Sequence, residues 1–243
     1  MNKRWFLIIT FLLLVARTSA TDGWKTLDLN SFKISIPKEW NYKSLQGEDS
    51  FIGQIIGPKV EFSFDFSNYG YANSLISTEQ EYLKKEEWKN TCYFCKVGVT
   101  YTADFNVKNE KAAQMKKLGT SDSSLIHVEA FPDYKTKTEI HVPTSVQKIK
   151  FPKADYVADL TFRDSTINIP ITIPTEIKAH NINVDTTEKY IIKTIWPKEG
   201  VKGITGIYFK GRHSHLTFNL VGFNLSPKDQ YLALKAFKTI IIK

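Results

Sequence analysis

Apolar side chains fall on every second position through much of this chain, and that spacing commits it to pleated strands with one dry face. Phe32, Ile34 and Ile36 alternate with Lys33 and Ser35 before Pro37 stops the strand. Val60, Phe62, Phe64 and Phe66 alternate with Glu61, Ser63 and Asp65. The longest run of this kind joins Val97, Val99, Tyr101, Ala103, Phe105 and Val107. Tyr156, Ala158, Leu160 and Phe162 form another, as do Ile167, Ile169, Ile171 and Ile173, where Pro170 lacks a ladder donor and predicts an edge strand. Near the end, Leu216, Phe218 and Leu220 oppose His215, Thr217 and Asn219. Antiparallel sheets with one solvated face carry this pattern. The expected fold class is therefore α+β, a mainly antiparallel sheet with a few flanking helices.

Three helices are marked by their ends. Thr78-Glu79-Gln80-Glu81 has the order of a capping box, in which the Thr oxygen and the Glu side chain satisfy orphan amides, and predicts a short helix running toward Trp88. A second helix is expected from about Asn109 to Lys117, closed by Gly119. Ser226-Pro227 places an N-cap before a first-turn proline whose missing N–H costs nothing. From there Tyr231, Leu234 and Phe237 make an apolar stripe, with Lys228, Lys235 and Lys238 outside it. Residues 239–242 read as a short closing strand.

The first twenty residues have a different character. Lys3 and Arg4 precede an apolar run from Trp5 to Val15, followed by Thr18-Ser19-Ala20. This is the layout of a secretory signal peptide. The run falls well short of the roughly 20 residues that span a bilayer as a helix. Cleavage near Ala20 is expected to release a secreted or periplasmic chain beginning at Thr21, with no membrane span in the mature part. Residues 21–243 are expected to form one α+β domain. Its proline-punctuated middle, from Gly119 to about Ile195, either elaborates the same sheet or makes a small β-rich lobe.

Charge narrows the partners. The whole chain carries a formal +8, and Lys3, Arg4 and Arg17 would leave with the leader. The remaining lysines are scattered: Lys84-Lys85 is followed at once by Glu86-Glu87. Nucleic-acid binding calls for a basic stripe, so no nucleic-acid partner is expected.

Cys92 and Cys95 are the only cysteines, spaced C-x-x-C. An exported protein permits a disulfide between them, although so short a loop removes little chain entropy. A thioredoxin-like pair would open a helix inside a βαβ unit, whereas this pair follows a helix and precedes a predicted strand. A zinc site needs two further ligands, for which His213 and His215 are the candidates if both sit on one side of a strand. His127, His141 and His180 stand alone. No nucleophile elbow, zinc-protease helix or phosphate-cradling loop is present. No cofactor is expected. The segment Asn68-Tyr69-Gly70-Tyr71-Ala72-Asn73-Ser74 mixes turn formers with two tyrosines, which makes Tyr69 and Tyr71 the candidate binding residues or, alternatively, a cover for the sheet edge.

Phe32-Lys33-Ile34-Ser35-Ile36-Pro37-Lys38-Glu39-Trp40 resembles the opening "F-x-I-x-x-P-x-x-W" strand of PsbP-like domains. The ending is similar too: a strand over 215–222, a helix opened by Ser226-Pro227 and a short terminal strand. In pattern the resemblance covers residues 28–107 and 200–243, with a longer middle between them. It implies an antiparallel sheet flanked by helices, in a family of accessory and binding proteins mostly without catalysis. No functional motif of that family is visible here. The expected function is thus an exported, non-catalytic binding or accessory protein for a protein or small-molecule ligand. The alternatives are an extracellular hydrolase, or a metal- or redox-responsive protein using Cys92 and Cys95.

Overall fold

The computed structural model describes residues 23–86, 88–89, 93–131, 136–162 and 164–243. The expected leader, its cleavage near Ala20 and the expected pairing of Cys92 with Cys95 lie outside these residues; Cys95 itself is described and is not a free thiol. The strands are β1 (Trp24–Asp28), β2 (Phe32–Pro37), β3 (Asn41–Ser44), β4 (Phe51–Gly57), β5 (Val60–Ser67), β6 (Thr100–Thr102), β7 (Val128–Ala130) and β8 (Lys137–His141). They continue with β9 (Tyr156–Phe162), β10 (Ser165–Ile171), β11 (His180–Thr186), β12 (Tyr190–Pro197), β13 (Ile204–Gly211), β14 (Thr217–Phe223) and β15 (Ile241–Ile242). The α-helices are α1 (Glu79–Lys84), α2 (Val107–Leu118), α3 (Ser145–Lys150), α4 (Thr175–Ala179) and α5 (Pro227–Phe237). The protein is α+β with mainly antiparallel sheets. It gathers into two compact units: the described part of Met1–Ser77 together with Thr175–Lys243, and Thr78–Pro174.

The first unit is built on a seven-stranded antiparallel sheet in the order β11-β12-β13-β14-β5-β4-β3. A second sheet, β1-β2-β15, and helix α5 supply the layer that its apolar face needs. Phe62, Phe64 and Phe66 of β5, Phe218 and Leu220 of β14, and Ile207 and Phe209 of β13 share one buried core with Phe32, Ile34 and Ile36 of β2 and Ala233, Ala236 and Phe237 of α5. Phe32 anchors it, with ring centroids 4.6 Å from Phe218 and 5.1 Å from Phe64. The period-two pattern over 32–36 and 60–66 is therefore a record of this face. Ser226 caps α5 by accepting from the Asp229 N–H at 3.2 Å, with Pro227 in the first turn. The chain end is pinned beside β1 by Asp28, which pairs with Lys243 at 2.5 Å and Lys33 at 2.6 Å. Those two amines hold its carboxyl below the usual range.

The opposite face of β14 departs from expectation. Thr217 and Asn219 are buried rather than solvated. The segment after β5 lies over them: the Ala72 N–H donates to Thr217 Oγ1 at 3.1 Å and Asn219 Nδ2 donates to the Asn73 carbonyl at 3.0 Å. Asn219 also belongs to a row of polar side chains across the sheet, Lys193–Tyr208–Asn219–Asp65, paired strand by strand. Polar residues at alternate positions thus mark a second covered face here, not a wet one. Thr217 and Asn219 are buried with bonds to backbone, and Asp65 is left with one buried oxygen that has no partner among the described residues.

The second unit carries the three-stranded antiparallel sheet β10-β9-β8 and a parallel pair, β6-β7. Pro170 does lie on an edge strand, β10. Trp88, Ala158, Leu160, Ile169 and Ile171 form its buried cluster. Helix α1 begins with the expected capping box: Thr78 Oγ1 accepts from the Glu81 N–H at 3.0 Å, and Glu81 accepts from the Thr78 N–H at 2.7 Å. Helix α2 closes at Gly119, whose φ of +63° is the left-handed cap that glycine adopts without strain.

The alternating run from Val97 to Val107 does not become a long strand. Only Thr100–Thr102 pairs, and a 3-10 turn at Asp104–Asn106 leads straight into α2. Gly98, at φ +81°, turns the chain before the run can extend. Val97 and Phe105 are exposed, so the alternation has no second layer to cover it.

Candidate ligand-binding cavity

The apolar face of the main sheet is not fully roofed. Between the end of α5 and strands β11–β13 lies a partly open cavity of about 500 Å³. Two cross-strand rows build its floor. Asp185 pairs with Ile192 and Ile192 with Phe209; Asn183 pairs with Thr194 and Thr194 with Ile207. Trp196 extends the β12 side, and Leu234, Phe237, Lys238 and Ile240 close over it from α5 and the turn that follows.

Sequence explains why a space remains there. Strand β11 is an edge strand, and it places asparagine and aspartate where its neighbours place isoleucine, threonine and phenylalanine. Those polar side chains are exposed and do not draw a covering layer over themselves. The inner wall is made of buried Ile207, Phe209 and Phe237. The cavity is thus apolar at depth and polar at the mouth, where Asn183 Nδ2 donates to Asp185 Oδ2 at 2.7 Å and Lys238 supplies an amine. Sites of roughly 300–1,000 Å³ with this division bind small molecules by apolar burial and orient them by a few polar groups. One carboxylate, one amide, one hydroxyl and one amine can hold and orient a ligand.

The residues singled out from sequence fall elsewhere. Tyr69 and Tyr71 stand 70% and 65% exposed on the loop after β5, their ring centroids 6.0 Å apart. They do not fold back over the sheet edge. Gly70, at φ +87°, lets the tip turn between them, and a Cβ there would lie 3.4 Å from the His215 carbonyl. The tyrosine loop and His215 therefore meet at one end of the sheet. His213 and His215 are not on a strand as expected. The hairpin loop between β13 and β14 holds both, exposed, because the Gly211 N–H closes back onto the Leu216 carbonyl at 2.8 Å and β14 starts only at Thr217. Among the described residues no three His, Cys, Asp or Glu side chains come together as a metal site requires.

The lone histidines differ. His180 is buried: its Nδ1 donates to the Glu176 carbonyl at 2.7 Å and its Nε2 accepts from the Ile204 N–H at 3.1 Å. Those partners require the neutral ring with its proton on Nδ1. His141 donates from Nδ1 to the Val142 carbonyl at 3.0 Å and lies 3.4 Å from Asp159. The Val142 carbonyl, then the Asp159 carboxylate, raise its pKa above the ordinary 6.5. His127 is exposed, and its carbonyl accepts from the Thr100 N–H.

The cavity residues were not singled out from sequence. Adjacent apolar pairs in β12, Ile191-Ile192 and Ile195-Trp196, blur the period-two signal because that strand has covered positions on both faces. Neither a protein-family pattern nor a curated protein sequence matches the chain. The fold and the cavity define a class only: an α+β protein with a small-molecule-sized apolar site on its sheet.

Proposed function

We propose that this chain is an exported, non-catalytic binding protein that takes a small, largely apolar ligand into the cavity between α5 and β11–β13. The observation that carries the reading is a space of about 500 Å³ with buried Ile207, Phe209 and Phe237 at its back and Asn183, Asp185 and Lys238 at its mouth. The leader-like residues 1–20 support export, and the PsbP-like outline at both ends of the chain fits a binding role.

A fluorescent apolar anion, 1-anilinonaphthalene-8-sulfonate, tests it directly. Wild type is expected to bind one dye saturably. Thr194→Trp puts an indole into the cavity from a half-buried position and is expected to weaken binding by at least about tenfold, a loss of roughly 1.4 kcal/mol. Tyr69→Ala with Tyr71→Ala is expected to leave it unchanged. Unaltered dye binding in Thr194→Trp would remove the cavity from consideration.

A further inference from the structure

Helix α3, like α1 and α2, has no buried residue, although helices in proteins are held mostly by packing one apolar face. Here a capping box holds it instead: Thr144 Oγ1 accepts from the Gln147 N–H at 3.3 Å, and Gln147 accepts from the Thr144 N–H at 3.0 Å. Its apolar side chains face outward. Val146 is 76% exposed and Ile149 84%, with Val142, just before the helix, at 64%. Val146 and Ile149, three residues apart, share one helix face, while Val142 sits on the extended approach to the helix. Lys148, Lys150 and Lys153 are exposed alongside, and from Val142 to Ala154 there is no acidic residue.

We infer that α3 and its flanks form a membrane-surface contact, seating Val142, Val146 and Ile149 among the headgroups of an anionic lipid layer. Two features favour a lipid surface over a protein. The large exposed side chains of the patch are aliphatic or lysine, beside the small Thr144, Ser145 and Pro152, and its one aromatic, Phe151, is only half-exposed. Lysine is depleted where proteins meet proteins, whereas exposed aromatic residues and arginine are enriched. Lysine, by contrast, suits an anionic leaflet: its stem lies along apolar surface while its amine reaches the headgroups. The Lys150 amine already folds along the Phe151 ring, 5.1 Å from its centroid. This contact lies on the surface and crosses nothing: among the described residues no helix is long and apolar enough to span a bilayer.

Cosedimentation of the full chain with vesicles tests the inference, with wild type and variants side by side so that any contribution from residues 1–22 is common to all. The expected result is binding to phosphatidylglycerol–phosphatidylcholine vesicles, weaker binding to pure phosphatidylcholine, and loss as salt is raised, since screening shortens the reach of surface charge. Val146→Asp with Ile149→Asp, and separately Lys148→Gln with Lys150→Gln and Lys153→Gln, should each weaken binding by about tenfold or more. Ile149→Trp should show a blue shift on addition of the anionic vesicles, a reading local to the helix. An unshifted Ile149→Trp spectrum, or equal binding by wild type and both multiple variants, overturns the inference. So does self-association that Val146→Asp with Ile149→Asp abolishes while vesicle binding is absent, because the stripe would then belong to a second copy of this chain.

Discussion

Phenylalanine is mostly buried in the first unit, Phe223 excepted, and nowhere fully buried among the described residues of the second. In the first, Phe32, Phe62, Phe64, Phe66, Phe209, Phe218 and Phe237 are all buried in one core. In the second, Phe105 and Phe131 face solvent, and the buried cluster rests on Trp88 with four aliphatic residues. The difference is one of layers. A sheet closed by a second sheet and a helix gives each alternate side chain a surface to meet, and the hydrophobic effect then acts on the whole area. In the second unit none of the residues of α2 is buried. The first unit is therefore expected to carry most of the protein's stability, and the second to be the place where small local bonds matter.

The sharpest way to break that comparison is to truncate the same kind of residue in each unit. Phe218 is 0% exposed and contacts the rings of Phe32, Phe64, Phe66 and Phe209. Phe218→Ala is expected to cost about 3–5 kcal/mol by denaturant unfolding. Phe105, 89% exposed, should cost no more than about 0.5 kcal/mol on the same change. Similar losses from the two would show that the second unit holds a core around Phe105 that the exposure denies.

A smaller effect is expected where backbone meets the structural histidine. A Cβ on Gly203 would lie 2.3 Å from His180 Nε2, so Gly203→Ala must displace the ring and break its bond to the Ile204 N–H. Overpacking of this sort costs about 1–3 kcal/mol, and the loss should appear in the thermal midpoint of the first unit. In the second unit, Thr78→Ala removes the hydroxyl that caps α1 and should cost about 1 kcal/mol. Amide exchange ought to rise at Glu81 and leave β5 and β14 unchanged; exchange spreading into those strands would contradict the assignment of α1 to the second unit.

How far the chain could be read in advance follows the same division. The strands over 32–36 and 60–66 and the helix opened by Ser226-Pro227 were legible because each has a single apolar face and a defined end. The strand over 156–162 was legible from Tyr156, Ala158, Leu160 and Phe162, although Val157 on its other face is buried as well. The run from Val97 to Val107 misled because alternation describes a face without saying whether anything covers it. Thr217 and Asn219 misled in reverse: polar side chains can be buried if backbone groups come to meet them, as Ala72 and Asn73 do. The cavity was illegible for a further reason. It is a region that α5 leaves uncovered, and the exposed Asn183 and Asp185 of β11 that border it read in sequence like any solvated edge strand.

The smallest expected effect is a titration in the second unit. His141 lies between the Val142 carbonyl, which takes its Nδ1 proton, and the Asp159 carboxylate at 3.4 Å. Both favour the charged ring, so the pKa in the folded protein is above its ordinary 6.5. The folded state thus binds this proton more tightly than the unfolded chain does. The resulting stability is fully present below about pH 6 and fades as pH rises through the raised value. His141→Asn removes the titrating ring, so the gap between wild type and variant should narrow from pH 5.5 to pH 8.5, a range set by the ordinary histidine pKa of about 6.5. Trp88, buried in this unit's cluster, is suited to report it by fluorescence during thermal unfolding. A gap that widens with pH instead would mean that the neutral ring is the form this unit holds, with Asp159 turned away from it.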